Sequence, residues 1–245
     1  MAFSLKYGGI APPSFFRITG VDQYILPSIE HYNSKITGAY GGIDGGIAFD
    51  NKVFKVHYTI IYDDVHDDTY YIDTLALWLL GDDVKKFQLD NSGEYYKARV
   101  TDATDFKDSI LYGSGTITFT ASNPRRYAPT ETTANLATSG STSISYDGYV
   151  PVCPVFTVVC PTGTTSVKIT NTTTGEVVTV SDTNLKGTLV IDCNKKFISL
   201  NGTKKMTLLT MGSDWITLKR GSNKINIVVG GTAITSINLK YTTIK

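Results

Sequence analysis

The sequence predicts a mainly-β protein of two lobes with a single helix, and three observations carry that prediction. The second half breaks into short alternating apolar segments divided by turn residues. The first half holds several alternating segments but one stretch of helical periodicity. Gly (22) and Tyr (15) are plentiful, and Thr and Ser crowd the second half, a bias toward strands and turns. At 245 residues the chain exceeds one domain of typical size, and 41% hydrophobic residues supply apolar surface for a core in each lobe.

In the first half, "SFFRI" (Ser14 to Ile18) and "KVFKVHYTIIY" (Lys52 to Tyr62) read as strands. The second places Phe54, Val56, Tyr58 and Ile60 on one face and Lys55, His57 and Thr59 on the other. Between them, the glycines of "GAYGGIDGGIAF" predict a flexible loop or hairpin arm rather than a packed element. The helix is "DTYYIDTLALWLLG", Asp68 to Gly81. Asp68 or Thr69 can accept from the free amides of its first turn, and Gly81 can end it. Ile72, Leu75, Ala76, Leu79 and Leu80 form one apolar stripe that must pack on a sheet or a neighbouring subunit. Trp78 lies off that stripe and is a candidate for a second contact surface. "KKFQL", "EYYKARVTD" (Glu94 to Asp102) and "GSGTITFTAS" (Gly113 to Ser122) follow, the last alternating as a strand.

"NPRRYAPTETTANLATSGST" (Asn123 to Thr142) has little periodicity and reads as a linker. The expected division is an N-terminal domain at 1–128, a linker at 129–145 and a C-terminal domain at 146–245. In the C-terminal domain "VFTVVC", "SVKITN", "EVVTVS", "GTLVID", "KFISLNG", "KINIVVG" and "ITSINLKY" are short strands separated by Thr-Gly, Asn-Lys-Lys, Asn-Gly and Gly-Gly. That spacing predicts a β-sandwich.

Composition and motifs narrow the function. The formal charge is +1, with no basic excess or stripe suited to holding nucleic acid by its phosphates. Cys153, Cys160 and Cys193 are odd in number and none sits in a CxxC pair, so free, partly buried thiols are expected. The N-terminus lacks the basic segment and apolar core of a secretion signal, and no stretch approaches the ~20 apolar residues of a membrane span. "YDDVHDD", with Asp63, Asp64, His66, Asp67 and Asp68, is the densest polar cluster. It lacks the alternating carboxylates and central glycine of a calcium loop and reads as a solvated turn with helix caps. His57 on an alternating strand reads as a hydrogen-bonded sheet histidine. No GxSxG, HExxH, P-loop or GxGxxG is present. No catalytic residue, metal ligand or cofactor is therefore assigned, and the chain is expected not to be an enzyme.

The order of segments resembles the distal tail protein (Dit) family of long-tailed siphovirus bacteriophages. "EYYKARVTD" resembles the family's xYYxAR strand, and "GTITFTASNPRRY" (Gly115 to Tyr127) its strand ending in a proline-containing exit. "DTYYIDTLALWLLG" corresponds to the helix before them. "GYVPVCPVFTV" (Gly148 to Val158) resembles the start of the family's second domain, with "ITNTTTGEVVTV", "GTLVIDCNKKFISLNG" and "LKRGSNKINI" following in order. The resemblance implies a tail-tube-like N-terminal β-sandwich with one helix and a β-hairpin arm, and a C-terminal galectin-like β-sandwich. It further implies a structural virion protein at the distal end of the tail, made in the host bacterial cytoplasm. The subunits would form a homo-hexameric ring joining the tail tube to the baseplate or adsorption tip. Its partners would be the tail-tube protein, a tail-tip or tail-associated protein and a receptor-binding protein. Double-stranded DNA would pass through the lumen without specific binding, and no membrane is involved.

A ring of identical subunits needs two different patches. The expected assembly surface is the glycine-rich arm, with Gly38, Tyr40, Gly42, Ile43 and Gly45, together with Trp78 on the helix. An alternative reading is a carbohydrate-binding adhesin module that recognises host cell-wall glycan on an aromatic platform of Trp215, Tyr146 and Tyr149. Against it, the second domain has no room for a carbohydrate-binding insertion, and Trp215 beside Ile216 and Leu218 also suits a sandwich core.

Overall fold

The computed structural model describes residues 4–35, 37, 40–63, 65–81, 83–108 and 112–245, with backbone alone at 104–108. The chain divides into two units, Met1–Arg126 and Tyr127–Lys245.

The first unit contains β1 (Lys6–Tyr7), β2 (Phe16–Gln23), β3 (Ile29–Lys35), β4 (Gly42–Phe49), β5 (Lys52–Ile61), α1 (Asp68–Leu79), β6 (Lys85–Gln88), β7 (Tyr96–Asp108) and β8 (Tyr112–Ala121). Six of these strands make an antiparallel sheet in the order β1-β6-β7-β8-β5-β2, while β3 and β4 pair only with each other. The alternation of β5 is realised as the sequence predicts. Phe54, Val56, Tyr58 and Ile60 are buried, and Lys55, His57 and Thr59 take the other face. Each large apolar side chain so buried contributes roughly 1.5–3 kcal/mol. Among the described residues of this unit, the one buried charged side chain opens the same strand. Lys52 donates from Nζ to the Tyr96 hydroxyl at 3.2 Å and lies over the Phe54 and Tyr96 rings. Burial, and then the nearby Arg126, pushes its ammonium below the usual lysine range.

Helix α1 begins one residue earlier than the caps the sequence suggested. Asp67 is the N-cap, and its carboxylate accepts from the Tyr70 amide at 3.1 Å. At the other end Lys85 Nζ donates to the Leu80 carbonyl at 2.6 Å, covering one of the carbonyls a helix leaves unpaired. The buried face is Tyr71, Leu75 and Trp78, at i, i+4 and i+7. This corrects the apolar stripe read from sequence, of which only Leu75 is buried.

The second unit contains β9 (Thr132–Asn135), β10 (Gly140–Tyr146), β11 (Val155–Cys160), β12 (Thr164–Asn171), β13 (Val177–Ser181), β14 (Gly187–Asp192), β15 (Phe197–Leu200), β16 (Thr203–Lys204), β17 (Gly221–Gly231) and β18 (Ser236–Tyr241). They form a four-stranded sheet, β10-β17-β12-β13, and a six-stranded sheet, β16-β15-β14-β11-β18-β9, around one apolar core. All seven sequence-predicted strands are present. The linker at 129–145 is corrected: β9 pairs with β18 and β10 pairs with β17 along seven residues. Thr and Ser there supply β-branched or small residues to strand edges rather than a flexible tether.

Two local devices fix this unit. Asn201-Gly202 turns β15 into β16 with both residues at positive φ, the backbone a two-residue hairpin turn demands. Asn201 Oδ1 also accepts from the Thr188 amide at 2.9 Å, tying the turn to β14. The second device is a polar cluster inside the core. Asn171 and Asn223 occupy inward positions and are fully buried. Asn171 Nδ2 donates to the Thr217 carbonyl at 2.7 Å, and Asn223 both accepts from the Lys219 amide (3.0 Å) and donates to the Lys219 carbonyl (2.7 Å). The pattern "LKRGSN" is thus a loop closed by its own asparagine onto β17.

Cys160 and Cys193 are buried, Cys153 is half-buried, and none is paired. Burial, above all, pushes the Cys193 thiol from 9.0 up to about 12.

Two outcomes follow. Asn223→Ala strands the Lys219 amide and carbonyl and is expected to cost about 2–3 kcal/mol. Urea unfolding followed on the second unit should show a lower midpoint with an unchanged slope. For Cys193, the native state keeps its proton at a pH where the unfolded chain releases it. Its contribution is therefore complete below pH 9.0 and is lost as pH rises toward about 12. Denaturation series across that window should show a decline of up to ~1.4 kcal/mol per pH unit that is missing in Cys193→Ala.

Candidate functional site

The most exposed element of the described residues is the β3–β4 ribbon. Every residue of β3 is exposed, and in β4 only Ala48 is partly covered. The ribbon is ordered rather than loose. Asp44 Oδ1 accepts from the Gly46 amide at 2.8 Å, and a bulge interrupts the register between His31 and Asn33. Its glycines answer to close packing: a Cβ on Gly45 would sit 3.0 Å from the Tyr32 carbonyl oxygen.

Several large apolar side chains on and beside this ribbon have no cover. Tyr40 is fully exposed (109%) and Ile43 is 57% exposed. Ile29, Ile47 and Phe49 are exposed nearer the base, as are Tyr24, Ile25 and Leu26 in the segment leading into it. Of the residues expected to form the assembly surface, Tyr40, Gly42, Ile43 and Gly45 therefore lie together on the arm. Gly38 lies outside the described residues.

Trp78 does not join them, which is a correction. It is 8% exposed, makes edge contacts with Tyr7 and Phe16 (centroids 6.4 and 5.6 Å), and donates from Nε1 to the Ile10 carbonyl at 3.3 Å. It is an internal anchor of its own unit. What the helix leaves open is the stripe the sequence predicted to be covered. Ile72, Ala76, Leu79 and Leu80 of α1 face Val100 and Ala103 of β7 across a cavity of about 430 Å³, with Tyr58 of β5 and Leu75 also lining it. Sequence periodicity had signalled these residues; it could not say that they would remain unpartnered.

The acidic loop before α1 is a capping device. Asp63 Oδ1 accepts from the Val65 and His66 amides at 3.0 and 2.9 Å, and His66 Nδ1 lies 2.9 Å from the same carboxylate. The His66 side chain first, aided by Tyr71 and the two amides, holds the Asp63 carboxyl well below the usual carboxylate range. Asp64 lies outside the described residues. Among the described residues no cluster of His, Cys, Asp and Glu has the arrangement of a metal site. His57 bonds Thr116 Oγ1 at 3.0 Å and Asp22 Oδ2 at 2.8 Å across the outer face of the sheet.

The proposed glycan platform does not assemble. Tyr146 is buried in the second core, its hydroxyl donating to the Val150 carbonyl at 2.6 Å, which corrects its assignment to a surface. Trp215 is partly buried and packs against that core. Only Tyr149 is exposed, with the Arg220 guanidinium stacked 4.8 Å from its ring centre.

Comparison with known proteins agrees with this architecture. Residues 147–244 match the family described as siphovirus-type tail component, C-terminal domain. The distal tail protein of Bacillus phage SPP1 is 27% identical over 223 residues, covering 89% of this chain and 87% of that protein. The crystal structure of SPP1 Dit, described as a paradigm of hub adsorption apparatus in phages infecting Gram-positive bacteria, superposes with a TM-score of 0.83 at 22% identity over all of both chains. A chain of the phage P2 baseplate in its activated, calcium-bound conformation gives a TM-score of 0.50 at 9% identity, covering 99% of this chain and 98% of that one. With its second unit matched by the family model and the sequence likeness running through most of the first, the chain is similar along most of its length to a distal tail protein of a siphovirus-type bacteriophage.

Proposed function

We propose that the chain is the hub subunit of a siphovirus tail: six copies close into a ring between the tail tube and the adsorption tip. The observation that carries this reading is the ribbon arm. A two-stranded ribbon is at best marginally stable alone in water, and this one presents Tyr40, Ile43, Ile47 and Phe49 to solvent. Such an element is completed by contact with another molecule. In a ring, the contact is head-to-tail between two different patches of one chain, closed by rotation.

On this reading the first unit forms the ring. The second, galectin-like unit projects as a docking platform for the tail-tip and receptor-binding proteins. The tail-tube protein stacks on the opposite side of the ring, and DNA crosses the lumen without specific binding. The near-neutral charge of the chain supports such passage. The subunit is made in the host cytoplasm and carried into the virion. It works by assembly, not by turnover of a substrate.

Light scattering coupled to size exclusion tests the reading. The purified chain is expected to give a particle of six subunit masses, seen as closed rings by negative-stain microscopy. A monomer that persists at high concentration overturns it.

A further inference from the structure

We infer that the open face of the first sheet, turned away from α1, meets the phosphates of double-stranded DNA as the duplex passes. The inference rests on the hub reading above and names the surface that the DNA touches.

The sheet sorts charge in a way the linear sequence hides. The first unit, Met1–Arg126, carries twelve Lys and Arg against sixteen Asp and Glu, so it is acidic as a whole. Strand alternation sends Tyr7, Phe16, Phe54, Phe87, Ala98 and Phe119 into the core. Their strand neighbours Lys6, Arg17, Lys55, Lys86, Lys97 and Arg99 then project from the opposite face, and all six are exposed. Half the basic residues of an acidic unit thus share one face. The register groups them: Lys86 lies opposite Lys97, Arg99 opposite Thr120, and Lys55 opposite both Thr118 and Asp22. Among the described side chains of these strands, the acids at outward positions are Asp22 and Asp102. Asp22 is engaged by His57 at 2.8 Å. Lys6, Arg17, Lys55, Lys86 and Arg99 take part in no ion pair among the described residues.

Folding does not call for this arrangement. Like charges directly opposite across two strands, as Lys86 and Lys97 are, weaken a sheet. Lysines that guard against edge-to-edge aggregation belong on edge strands, but Lys55, Lys86 and Lys97 stand on β5, β6 and β7, inside the sheet. Arg17 donates from Nη1 to the Ser14 carbonyl at 2.7 Å, which holds the side chain and leaves its charge uncancelled.

Charge and shape together name the occupant. The cations span six strands, a width of about 24 Å at the usual strand spacing. Between them stand the short hydroxyls of Thr101, Thr116, Thr118 and Thr120, a second kind of group that bonds phosphate oxygens. The duplex presents a negative charge every ~1.7 Å of its axis, a density that a cationic face of this breadth can follow. A broad sheet enters neither groove, so the bases go unread and the contacts carry no sequence information. Phosphate contacts of this kind are interchangeable along the duplex and let it slide. The wall guides the polyanion without holding any one sequence.

The test uses full-length chain and a short linear duplex of mixed sequence, followed by fluorescence anisotropy. Binding is expected at 50 mM salt and should weaken about a hundredfold by 200 mM, the fall for about four neutralised phosphates. Lys86→Gln combined with Arg99→Gln is expected to cut the slope of log affinity against log salt to about half, while Lys86→Arg with Arg99→Lys keeps it. Both positions are exposed, so circular dichroism should match that of the unsubstituted chain. Lys204→Gln with Lys205→Gln, at the exposed β15–β16 hairpin of the second unit, is expected to change nothing. No binding at the lower salt overturns the inference and leaves the hub reading standing. Binding that survives loss of Lys86 and Arg99 with its slope intact, or that prefers one duplex sequence, does the same. Assembly is read separately by light scattering: a chain that binds duplex as expected yet never forms rings overturns the hub reading alone.

Discussion

A ribbon of two strands has no core of its own, and this constraint governs the molecule. Every other strand of the first unit gains a buried face: β5 through Phe54, Val56, Tyr58 and Ile60, and β8 through Ile117, Phe119 and Ala121. The β3–β4 ribbon satisfies half its backbone groups internally and leaves both edges and its apolar side chains to water. Folding of one chain therefore stops short of using all its apolar surface. The sheet and helix behind the ribbon serve to hold it out at a fixed origin, between β2 and β5 at one edge of the sheet.

The same logic explains the helix. A twelve-residue helix is marginal by propensity and needs a packed face. Tyr71, Leu75 and Trp78 supply it, seated in an aromatic cluster with Phe15, Phe16 and Tyr7. The opposite apolar stripe is then surplus to folding. Two stripes thus share one short helix, one packed inside the unit and one largely open.

Strands whose alternation is set by burial on one face were legible in the sequence: β5, β8 and the seven segments of the second unit needed no tertiary information. The helix was legible as an element but not as an orientation. Two stripes share Leu75, and helical periodicity cannot choose between them. The choice falls to Tyr7 and Phe16, residues distant in sequence. Strands β9 and β10 were missed because Thr- and Ser-rich edges lack an apolar period; only pairing with β18 and β17 makes them strands. Tyr146 and Tyr149 looked equivalent three residues apart. The hydroxyl of one reaches the Val150 and Ile244 carbonyls inside the sandwich while the other stands outside. Of the asparagines of the second core, Asn171 was visible in "ITNTTTGEVVTV" and Asn223 in "LKRGSNKINI", but their partners at Thr217 and Lys219 were not.

The three unpaired thiols have a consequence for the life of the particle. Burial raises all three above the usual thiol range, so little thiolate exists near neutral pH to attack a peroxide or a disulfide. A subunit built this way is slow to change its covalent form when its surroundings turn oxidising. Its durability outside a cell then depends on packing and assembly, with no cross-link to form or lose on the way.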